Sequence, residues 1–155
     1  MASSRERTLV LVKPDGIQRG LVGAIVSRLE SKGLRLVAAR FLQADRALAE
    51  AHYAPHRERP FFPSLISFLL SGPLLATVWE GPRAIDQVRT LMGATDPAKA
   101  TPGSIRGDLA LSIENNLIHG SDSPEAAERE IALFFRPGDL VEYERAGDAW
   151  AHGQE

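Results

Sequence analysis

The apolar run over residues 8–12, Thr-Leu-Val-Leu-Val, constrains the fold of this chain more than any other segment. A strand that is buried on both faces has a near-continuous apolar sequence, whereas a half-exposed strand alternates apolar and polar residues. The run therefore predicts a strand buried on both faces. It stops at Lys13-Pro14-Asp15-Gly16, whose composition is typical of a sharp turn. A chain of 155 residues is long enough to surround such a strand in a single domain, residues 1–155, with a real core.

The spacing of apolar residues predicts further strands and helices up to residue 92. Apolar side chains at helical spacing follow the first turn and stop at Lys32-Gly33, which has the composition of a helix C-terminus. Asp45 is a predicted N-cap, and Pro82 is expected to open a helix. The predicted elements are a helix over residues 21–32, a strand over 34–42, a short helix over 45–53, a helix over 61–70, a strand over 74–79 and a helix over 83–92.

The second half of the chain begins with a segment that has no apolar periodicity, residues 93–108. A loop of this length in a compact domain is usually functional or part of an interface. After it we expect a segment crossing the surface over residues 109–113, a short strand over 117–119, and a helix that begins at Ser123-Pro124-Glu125 and runs to residue 135. The remainder, from residue 139, is predicted to be a tail with Tyr143 and Trp150 as aromatic anchors.

The order of these elements is β-α-β, a helical insert, and then β-α-β. This order predicts an α+β fold, the ferredoxin-like βαββαβ sandwich. In that fold an antiparallel four-stranded sheet carries helices on one face, and here a helical hairpin is inserted.

His119 is the candidate nucleophile. It follows two apolar residues and precedes Gly-Ser-Asp-Ser-Pro, so we expect it to be the last residue of a short buried strand, where the chain turns. Strand ends in open sheets present side chains to ligands. The pKa of an unperturbed imidazole lies near neutral, so much of the ring is unprotonated and can act as a nucleophile. The alternative is a core or turn histidine that is hydrogen-bonded to the backbone.

Four charged side chains need either a partner or contact with solvent. Arg89 falls on or beside the apolar stripe of its helix, so it requires a nearby anion or extends outward to water. Glu130 flanks the stripe of the last helix, where it can orient an imidazole, accept from Ser121, or simply interact with the helix dipole. Lys13 and Arg106 are either solvated or bind a polyphosphate together with Arg89, because guanidinium groups match phosphate geometry.

The aromatic residues also allow two interpretations, and the remaining histidines are assigned no role. Tyr53 precedes a stretch rich in His and Arg, and Phe61 stands at a helix start after Pro60. Such an aromatic belongs to the core, or it lies at the surface and offers a face on which a base stacks. The other histidines lack the spacing and the acidic surroundings of a metal site, so no role is assigned to His52, His56 or His152.

Composition argues against several classes of partner. The net charge of −2 and the pI of about 6.1 give no basic field for nucleic acid. The sequence contains no cysteine, so it has neither disulfides nor thiolate metal sites. No segment is long enough to span a bilayer, and the apolar stretch near residue 10 is too short for a signal peptide. We therefore expect a cytoplasmic protein that binds neither nucleic acid nor membranes.

Six motifs follow one another along the chain and are informative as a set. They are Val12-Lys13-Pro14-Asp15-Gly16 with Gln18-Arg19-Gly20, Arg59-Pro60-Phe61-Phe62-Pro63, Ser71-Gly72-Pro73, Val78-Trp79-Glu80-Gly81, Pro102-Gly103-Ser104-Ile105-Arg106-Gly107-Asp108 and Asn116-Leu117-Ile118-His119-Gly120-Ser121-Asp122-Ser123. One such motif is weak, but six in order are specific. Together they resemble the nucleoside diphosphate kinase family from about residue 6 to residue 143. For His119 the resemblance favours catalysis over the core or turn interpretation.

The resemblance implies a two-step reaction and a role for each matching residue. The γ-phosphoryl group of a nucleoside triphosphate such as ATP passes to His119 and then to a nucleoside diphosphate, which maintains the pools of NTP and dNTP. Glu130 and Ser121 match the pair that orients the imidazole. The positions around the phosphates and the ribose are matched by Lys13, Tyr53, Arg89, Thr95, Arg106 and Asn116. Lys13 and Asn116 correspond to the contacts with the sugar hydroxyls, and Lys13 also lies near the transferred group.

The resemblance also implies how the base, the metal and the subunits are arranged. Phe61 matches the residue on which the base stacks, with Leu65 and Ile113 as apolar neighbours. Mg²⁺ arrives with the nucleotide and is held mainly by phosphates and water, so no side chain is expected to ligate it. Family members are hexamers or tetramers, and the loop over residues 93–108, including Pro97, packs in subunit contacts. The tail over residues 144–155 matches loosely, and its length favours the hexamer.

Two other functions fit the same residues less well. One is a nucleotide-binding regulatory module on this fold that is catalytically silent, but such a module has little need of the nucleophile. The other is a DNA-binding or nuclease activity, which the near-neutral charge does not favour.

Overall fold

A four-stranded antiparallel sheet with the strand order β2-β3-β1-β4 carries the rest of the molecule. The computed structural model describes residues 5–153. The strands are β1 (Glu6–Val12), β2 (Arg35–Leu42), β3 (Leu74–Gly81) and β4 (Ile118–Gly120). Residues 8–12 are fully buried in β1, which lies between β3 and β4. The predicted strand with two buried faces is therefore confirmed.

Eight α-helices are found among residues 5–153. They are α1 (Pro14–Gln18), α2 (Val22–Lys32), α3 (Arg46–His52), α4 (Phe62–Leu69), α5 (Ala84–Met92), α6 (Ile105–Leu109), α7 (Pro124–Phe134) and α8 (Asp148–His152). Short 3₁₀ turns lie at Ala54–His56, Pro97–Lys99 and Pro137–Asp139. None of the helices in this part of the chain is long and apolar enough to cross a bilayer.

The two faces of the sheet pack against different helices, because alternate residues of a strand point to opposite sides. Leu9 and Leu11 of β1 belong to a core that includes residues of α3, α4 and α7. Val10 and Val12 belong to a second core, formed with residues of α2, α5 and α6. The crossover helices α2 and α5 therefore share one face, and the inserted pair α3–α4 packs on the other with α7. The topology is that of the predicted α+β sandwich with its helical hairpin, but the expectation of helices on one face is wrong, because α7 and the hairpin cover the second face.

Asp45, Ser123 and Gly33 start or stop helices as expected, whereas the prediction for Pro82 is wrong, because α5 begins at Ala84 with Arg83 as its N-cap. The carboxylate of Asp45 accepts a hydrogen bond from the backbone N–H of Leu48 at 2.8 Å. The hydroxyl of Ser123 accepts from the N–H of Ala126 at 3.1 Å, ahead of Pro124. Gly33 ends α2 with φ of 108°, a left-handed conformation that favours glycine.

Two short helices replace segments that were expected to be irregular. The predicted turn at residues 13–16 opens α1 instead, with Pro14 at its first position and Asp15 in its first turn. The loop over residues 93–108 contains a 3₁₀ turn and most of α6, whose N-cap Ser104 accepts from the N–H of Gly107. Helices of five residues are too short for an apolar period to show in the sequence.

The strand that carries the candidate nucleophile is shifted by one residue from the predicted position. Residues 117–119 were expected to form it, but β4 runs from Ile118 to Gly120, so His119 is its middle residue. Leu117 has φ of 74°, which a strand residue does not adopt. The N-terminal limit of α5 also differs, because Arg83 is its N-cap with φ of 51°.

The C-terminal tail is held to the sheet as far as residue 153, although not by both predicted anchors. Tyr143 donates a hydrogen bond from its hydroxyl to the carbonyl oxygen of Leu36 in β2. Trp150 is 93% exposed, so the expectation that it anchors the tail to this chain is wrong. The tail instead contains the short helix α8, which the sequence pattern did not indicate and which attaches the tail to the sheet.

A buried arginine fastens α8 to the sheet. Arg35 of β2 pairs with Glu80 of β3 and with Asp148 of α8. Arg145 adds a bond of 2.7 Å from its guanidinium to Asp148. Burial by itself raises the pKa of Asp148, but hydrogen bonds from the backbone and side chain of Arg145 and from Arg35 outweigh it and lower this pKa to about 2. Asp148 is therefore ionised at neutral pH and joins two strands to the tail.

We predict that Asp148→Ala lowers the free energy of unfolding at pH 7 by about 1–3 kcal/mol, because Arg35 and Arg145 lose charge-assisted hydrogen bonds. The folded pKa is depressed, so this stabilisation is present above the unfolded pKa and is lost as the pH falls towards 2. Urea unfolding across this pH range measures it. The control is Glu50→Ala, which removes an exposed pair with Arg46 and should cost less than 1 kcal/mol. Equal losses in the two variants would contradict the prediction.

Candidate active site

The pairing of β4 with β1 brings the candidate nucleophile next to the end of the first strand. His119 of β4 lies opposite Leu11 of β1, and Lys13 follows β1 directly. Gly120 comes next in β4 and faces α5. A Cβ atom on Gly120 would lie 2.5 Å from the Sδ atom of Met92 and 2.9 Å from Cγ1 of Val88, so a larger residue would require these side chains of α5 to shift. The edge strand β4 therefore pairs with β1 on one side and packs closely against α5.

The imidazole of His119 is held by a carboxylate on α7. The Nε2 atom of His119 lies 2.8 Å from Oε1 of Glu130, and the hydroxyl of Ser121 donates to the same oxygen at 2.8 Å. Ser121 is fully buried, and its oxygen also accepts from the backbone N–H of Leu9 at 3.3 Å. The structure therefore brings together the three residues that were predicted to form this group.

The charge of Glu130 determines which ring nitrogen of His119 carries the proton. Burial of Glu130 raises its pKa, but the hydrogen bonds and charge of His119, together with Ser121 and Arg129, outweigh burial and lower it. An ionised carboxylate only accepts hydrogen bonds, so Nε2 of His119 must be the donor. Nδ1 of the neutral ring then carries the free electron pair.

Lys13 and Asn116 form the second part of the site. Nζ of Lys13 donates to Oδ1 of Asn116 at 2.7 Å, and Nδ2 of Asn116 donates to the carbonyl oxygen of Thr95 at 3.0 Å. Burial, and then the positive charge of Arg106, lower the pKa of Lys13 to about 8, while Asp15 acts in the opposite direction. A nearby anionic ligand would strongly stabilise the charged form of such a buried lysine.

The two predicted arginines differ in their surroundings. The guanidinium of Arg106 is buried and donates to three carbonyl oxygens, those of Gly93 at 3.2 Å, Asn116 at 3.2 Å and Ile118 at 2.6 Å. Burial and the neighbouring Arg89 lower the pKa of Arg106 to about 10. Arg89 extends outward from α5 and donates to the carbonyl oxygen of Gly120 at 3.3 Å. The expected outward direction of Arg89 is therefore confirmed, and its contact with an anion stays a prediction.

A series of ring contacts links the predicted base-stacking residue to the nucleophile. Phe61 is 48% exposed, and its ring centroid lies 5.7 Å from that of His56. The ring centroids of His56 and Tyr53 are 6.5 Å apart, and those of Tyr53 and His52 are 4.7 Å apart. The ring of His52 then meets that of His119 edge-on at 4.6 Å. Phe61 and Tyr53 thus lie on the same side of the site, and Phe61 offers an open face.

The other predicted residues of the nucleotide site are less fixed by contacts. Leu65 of α4 is half-buried and packs against the core on that face of the sheet. Thr95 is exposed, and its backbone carbonyl contacts Asn116 as described. Ile113 is 51% exposed in the segment before β4. The roles of these side chains stay predictions.

His52 is a neighbour of the nucleophile that sequence reasoning missed. It is 3% exposed, and neither ring nitrogen has a hydrogen-bond partner among the described residues. Burial, and then the charge of His119, hold the pKa of His52 well below its usual value, so the ring is neutral. Only its position before Tyr53 at the end of a predicted helix distinguishes it in the sequence, and that position does not reveal the contact.

One group of side chains in the described chain has the composition of a metal site. One ligand atom each of His52, His119 and Glu130 lie within 4.8 Å of one another. Two of these residues are already joined by the hydrogen bond between Nε2 and Oε1. A metal ion would have to displace the shared proton, so we assign this group to the nucleophile and not to a resident metal.

The chemistry of the site follows from these groups. An anion orients the imidazole of His119 and leaves Nδ1 as its free nitrogen in the neutral form, and Lys13, Arg89 and Arg106 supply positive charge around it. This combination suits the transfer of an anionic group to and from a nitrogen nucleophile. On an α+β sandwich of this topology, the fold and the site define a phosphotransferase.

Comparison with known proteins identifies the family. The sequence model for "Nucleoside diphosphate kinase" matches residues 6–140, and the chain therefore belongs to the nucleoside diphosphate kinase family, whose members are phosphotransferases that act on nucleotides. The predicted resemblance is confirmed. The nucleoside diphosphate kinase of Thermomicrobium roseum is 59% identical and covers 96% of this chain and 99% of its own length. That of Archaeoglobus fulgidus is 55% identical, with coverage of 95% and 97%.

Solved structures agree with the fold. The halophilic nucleoside diphosphate kinase of Halobacterium salinarum in complex with CDP superposes with a TM-score of 0.92 at 56% identity, covering 95% of this chain and 98% of that one. A nucleoside diphosphate kinase family protein of Babesia bovis gives 0.91 at 45% identity, with coverage of 94% and 99%. The predicted ferredoxin-like sandwich is thus confirmed.

We predict that Arg89→Ala and Arg106→Ala each weaken ADP binding by about 1.5–3 kcal/mol, because each removes charge-assisted hydrogen bonds to phosphate. Only Arg106→Ala should also lower the unfolding temperature, since the buried carbonyl oxygens of Asn116 and Ile118 and the partly buried one of Gly93 lose their donor. Calorimetric titration and thermal unfolding measure the two effects. Arg46→Ala, at the exposed start of α3, serves as the control for a lost surface charge. Unchanged ADP affinity in both variants would remove the arginines from the phosphate site.

Proposed function

We propose that this protein transfers the γ-phosphoryl group of a nucleoside triphosphate to Nδ1 of His119 and from there to a nucleoside diphosphate. The observation that carries the assignment is the hydrogen bond from Nε2 to Glu130, since it leaves Nδ1 unprotonated and fixes the plane of the ring. Membership of the family supports the same exchange between nucleotides. The biological result is the balance of the NTP and dNTP pools.

The proposed transfer needs no proton to leave the nucleophile before it attacks. The electron pair on Nδ1 forms a bond to the γ-phosphorus while the bond from that phosphorus to the bridging oxygen breaks. The nucleoside diphosphate leaves with the electron pair of the broken bond. The ring keeps its proton on Nε2 and gains positive charge, which Glu130 stabilises across 2.8 Å. The second half-reaction reverses these steps with another nucleoside diphosphate.

The proposed role of the cations is to neutralise the phosphates in both half-reactions. Lys13 is buried with a lowered pKa, so a phosphate oxygen near Nζ favours its protonated form. Arg106 and Arg89 complete the positive charge on the other side of β4. We assign Lys13 and Asn116 to the ribose hydroxyls as well, because their side chains already contact each other at 2.7 Å. Tyr53 and Thr95 complete the proposed contacts with the sugar and phosphates.

The base is proposed to stack on Phe61, with Leu65 and Ile113 beside it. The open face of Phe61 supports this role. Stacking accepts any base, because every base has a face, and it therefore favours broad specificity. The protein from Halobacterium salinarum was solved with CDP, a pyrimidine nucleotide, which agrees with a site of this kind.

Mg²⁺ is proposed to enter with the nucleotide and to be held by phosphate oxygens and water. Oε1 of Glu130 accepts hydrogen bonds from His119 and Ser121, and Oδ2 of Asp15 accepts one from Leu117, so one oxygen of each carboxylate is already engaged. This fits magnesium, which keeps several waters and needs few protein ligands. When bound, the ion lowers the negative charge that the attacking nitrogen meets.

The alternative of a silent nucleotide-binding module is less well supported. A module that only binds nucleotides needs the cations, but it has no use for the hydrogen-bonded set of His119, Glu130 and Ser121. We also retain one domain with its core over residues 6–143, the cytoplasm as the location, and no nucleic-acid partner as parts of the proposal.

We expect that incubation with ATP and Mg²⁺ yields one acid-labile phosphate per chain, and that any nucleoside diphosphate removes it. His119→Ala should abolish labelling while ADP still binds, because the cations and the stacking face remain. Filter-binding of radiolabelled protein and calorimetric titration measure the two quantities. Labelling that persists in His119→Ala would reject the assignment, and wild-type protein that binds ADP without being labelled would favour the silent module.

The protein is further proposed to form a homo-oligomer, with a hexamer favoured over a tetramer. Several large apolar side chains are exposed, which is typical of interaction surfaces, among them Leu111 at 96%, Trp150 at 93% and Phe41 at 63%. The hexamer is favoured because the tail beyond Tyr143 resembles the longer tails of the family, which go with hexamers. Light scattering should give a mass of six chains of 16.9 kDa each. A mass of four chains would correct the proposal, and a single chain would reject it.

A further inference from the structure

The backbone turns sharply two residues before the nucleophile. Leu117 has φ of 74°, and the N–H of Ile118 donates to the carbonyl oxygen of Asn116 at 2.9 Å. A hydrogen bond between residues i and i+2 around a residue with this φ defines the γ-turn of positive φ, which is rare and strained. Leucine, with its Cβ atom, is especially unfavourable there. Strain of this kind persists only when the surroundings enforce it, and it concentrates at functional sites.

Two residues of the first strand–helix junction enforce the turn from outside. Oδ2 of Asp15, in α1, accepts the N–H of Leu117 at 3.0 Å. The N–H of Lys13 donates to the carbonyl oxygen of Leu117 at 2.9 Å. Both polar groups of the strained residue are thus satisfied by a segment about one hundred positions earlier. Of these two bonds, only the one to Asp15 uses a side chain, so only it can be removed by substitution.

The turn fixes the relative position of the two halves of the site. Before it, Asn116 contacts Lys13 through its side chain. After it, β4 begins and presents His119 to Glu130. A change in the angle of the turn would therefore move the nucleophile relative to the groups that hold the nucleotide.

The junction between β1 and α1, which contains Asp15, is closely packed against the turn at Leu117. A Cβ atom on Gly16 would lie 2.6 Å from Cγ1 of Val12 and 3.3 Å from the carbonyl oxygen of Leu117. The start of α1 is therefore packed directly against the turn. Oδ1 of Asp15 is buried without a hydrogen-bond partner in the described chain, so only one oxygen of this carboxylate is satisfied, the one that binds the turn.

We propose that Asp15 is a positioning residue for the phosphoryl transfer: it holds the strained turn at Leu117 and thereby sets the distance between His119 and the bound nucleotide. The proposal rests on the function proposed above. Asp15 touches neither the transferred group nor the nucleophile, and it acts through the backbone. A displacement of reacting groups by about 1 Å can reduce a rate by about a hundredfold, so a small relaxation of the turn is enough to be measured.

The charge of Asp15 provides a second, separable effect. Lys13 faces the positive Arg106, the neutral His52 and the negative Asp15, and of these only Asp15 raises its pKa. Removing the carboxylate charge should therefore move the basic limb of the pH–rate profile, which reports deprotonation of Lys13, to lower pH. The hydrogen bond and the charge can be removed one at a time.

The test compares three substitutions of Asp15 at pH 6.5, where Lys13 stays protonated. Asp15→Ala removes both effects and should slow single-turnover phosphorylation of His119 by about ten- to a hundredfold, with less than about a threefold change in ADP affinity. Asp15→Asn keeps an oxygen acceptor for Leu117 and should stay within about threefold of the wild-type rate, but with its basic limb at lower pH. Asp15→Glu keeps the charge but misplaces the acceptor and should resemble Asp15→Ala in rate.

Amide hydrogen exchange of Leu117, followed by NMR on the whole protein, reports the turn without reference to activity. Protection should be high in the wild type and in Asp15→Asn and at least tenfold lower in Asp15→Ala. The matched control is Asp45→Ala, which removes another bond from an aspartate to a backbone N–H, that of Leu48 at 2.8 Å, and should leave the transfer rate unchanged. If Asp15→Ala does not fold, Asp15→Asn and Asp15→Glu carry the comparison.

Three results would overturn the proposal: a wild-type transfer rate in Asp15→Ala, unchanged protection of Leu117 in that variant, or equal loss of rate in Asp15→Asn and Asp15→Ala. A wild-type protein that forms no phosphohistidine would instead reject the proposed function. In that case the exchange of the Leu117 amide still decides whether Asp15 holds the turn, so the two failures are distinguishable.

Discussion

The antiparallel pairing of β4 with β1 is the interaction on which the site depends. It places His119 opposite Leu11 and brings the backbone of Lys13 to that of Leu117. The strand contributes only three residues, so its own ladder is weak, and its neighbours hold it from several sides. Arg106 binds two carbonyl oxygens around it, and Glu130 and Ser121 join it to α7. A buried polar network of this kind fixes geometry as much as it contributes stability.

The elements that sequence predicts well are those whose burial leaves a long pattern. β1 is visible as an unbroken apolar run, and α2 as a stripe ended by Gly33. α1 and α6 were missed because five residues hold little more than one helical turn. The start of β4 was placed one residue early, since no local pattern reveals that Leu117 has positive φ. Trp150 was assigned to the tail's anchoring only because it is aromatic, and its exposure corrects this.

Some residues of the candidate site can be predicted from the sequence, and others cannot. The motif around His119, with Glu130 eleven residues later, predicts an oriented imidazole, and the structure supplies the bond that links them. His52 and Asp15 could not be found in this manner. His52 contacts His119 through its ring, and Asp15 accepts a hydrogen bond from a backbone N–H about one hundred positions away. Contacts of that type depend on tertiary packing and leave no spacing to detect in the chain.

The chain order of the sheet has a consequence for synthesis on the ribosome. β1 emerges before its neighbours β3 and β4, which begin at Leu74 and Ile118. One edge of the most apolar strand therefore stays open until β4 has been translated. An unpaired apolar edge is prone to wrong partners, so chaperones that shield nascent chains should matter most in that interval. The nucleophile, which lies on the closing strand, arrives only when that exposure ends.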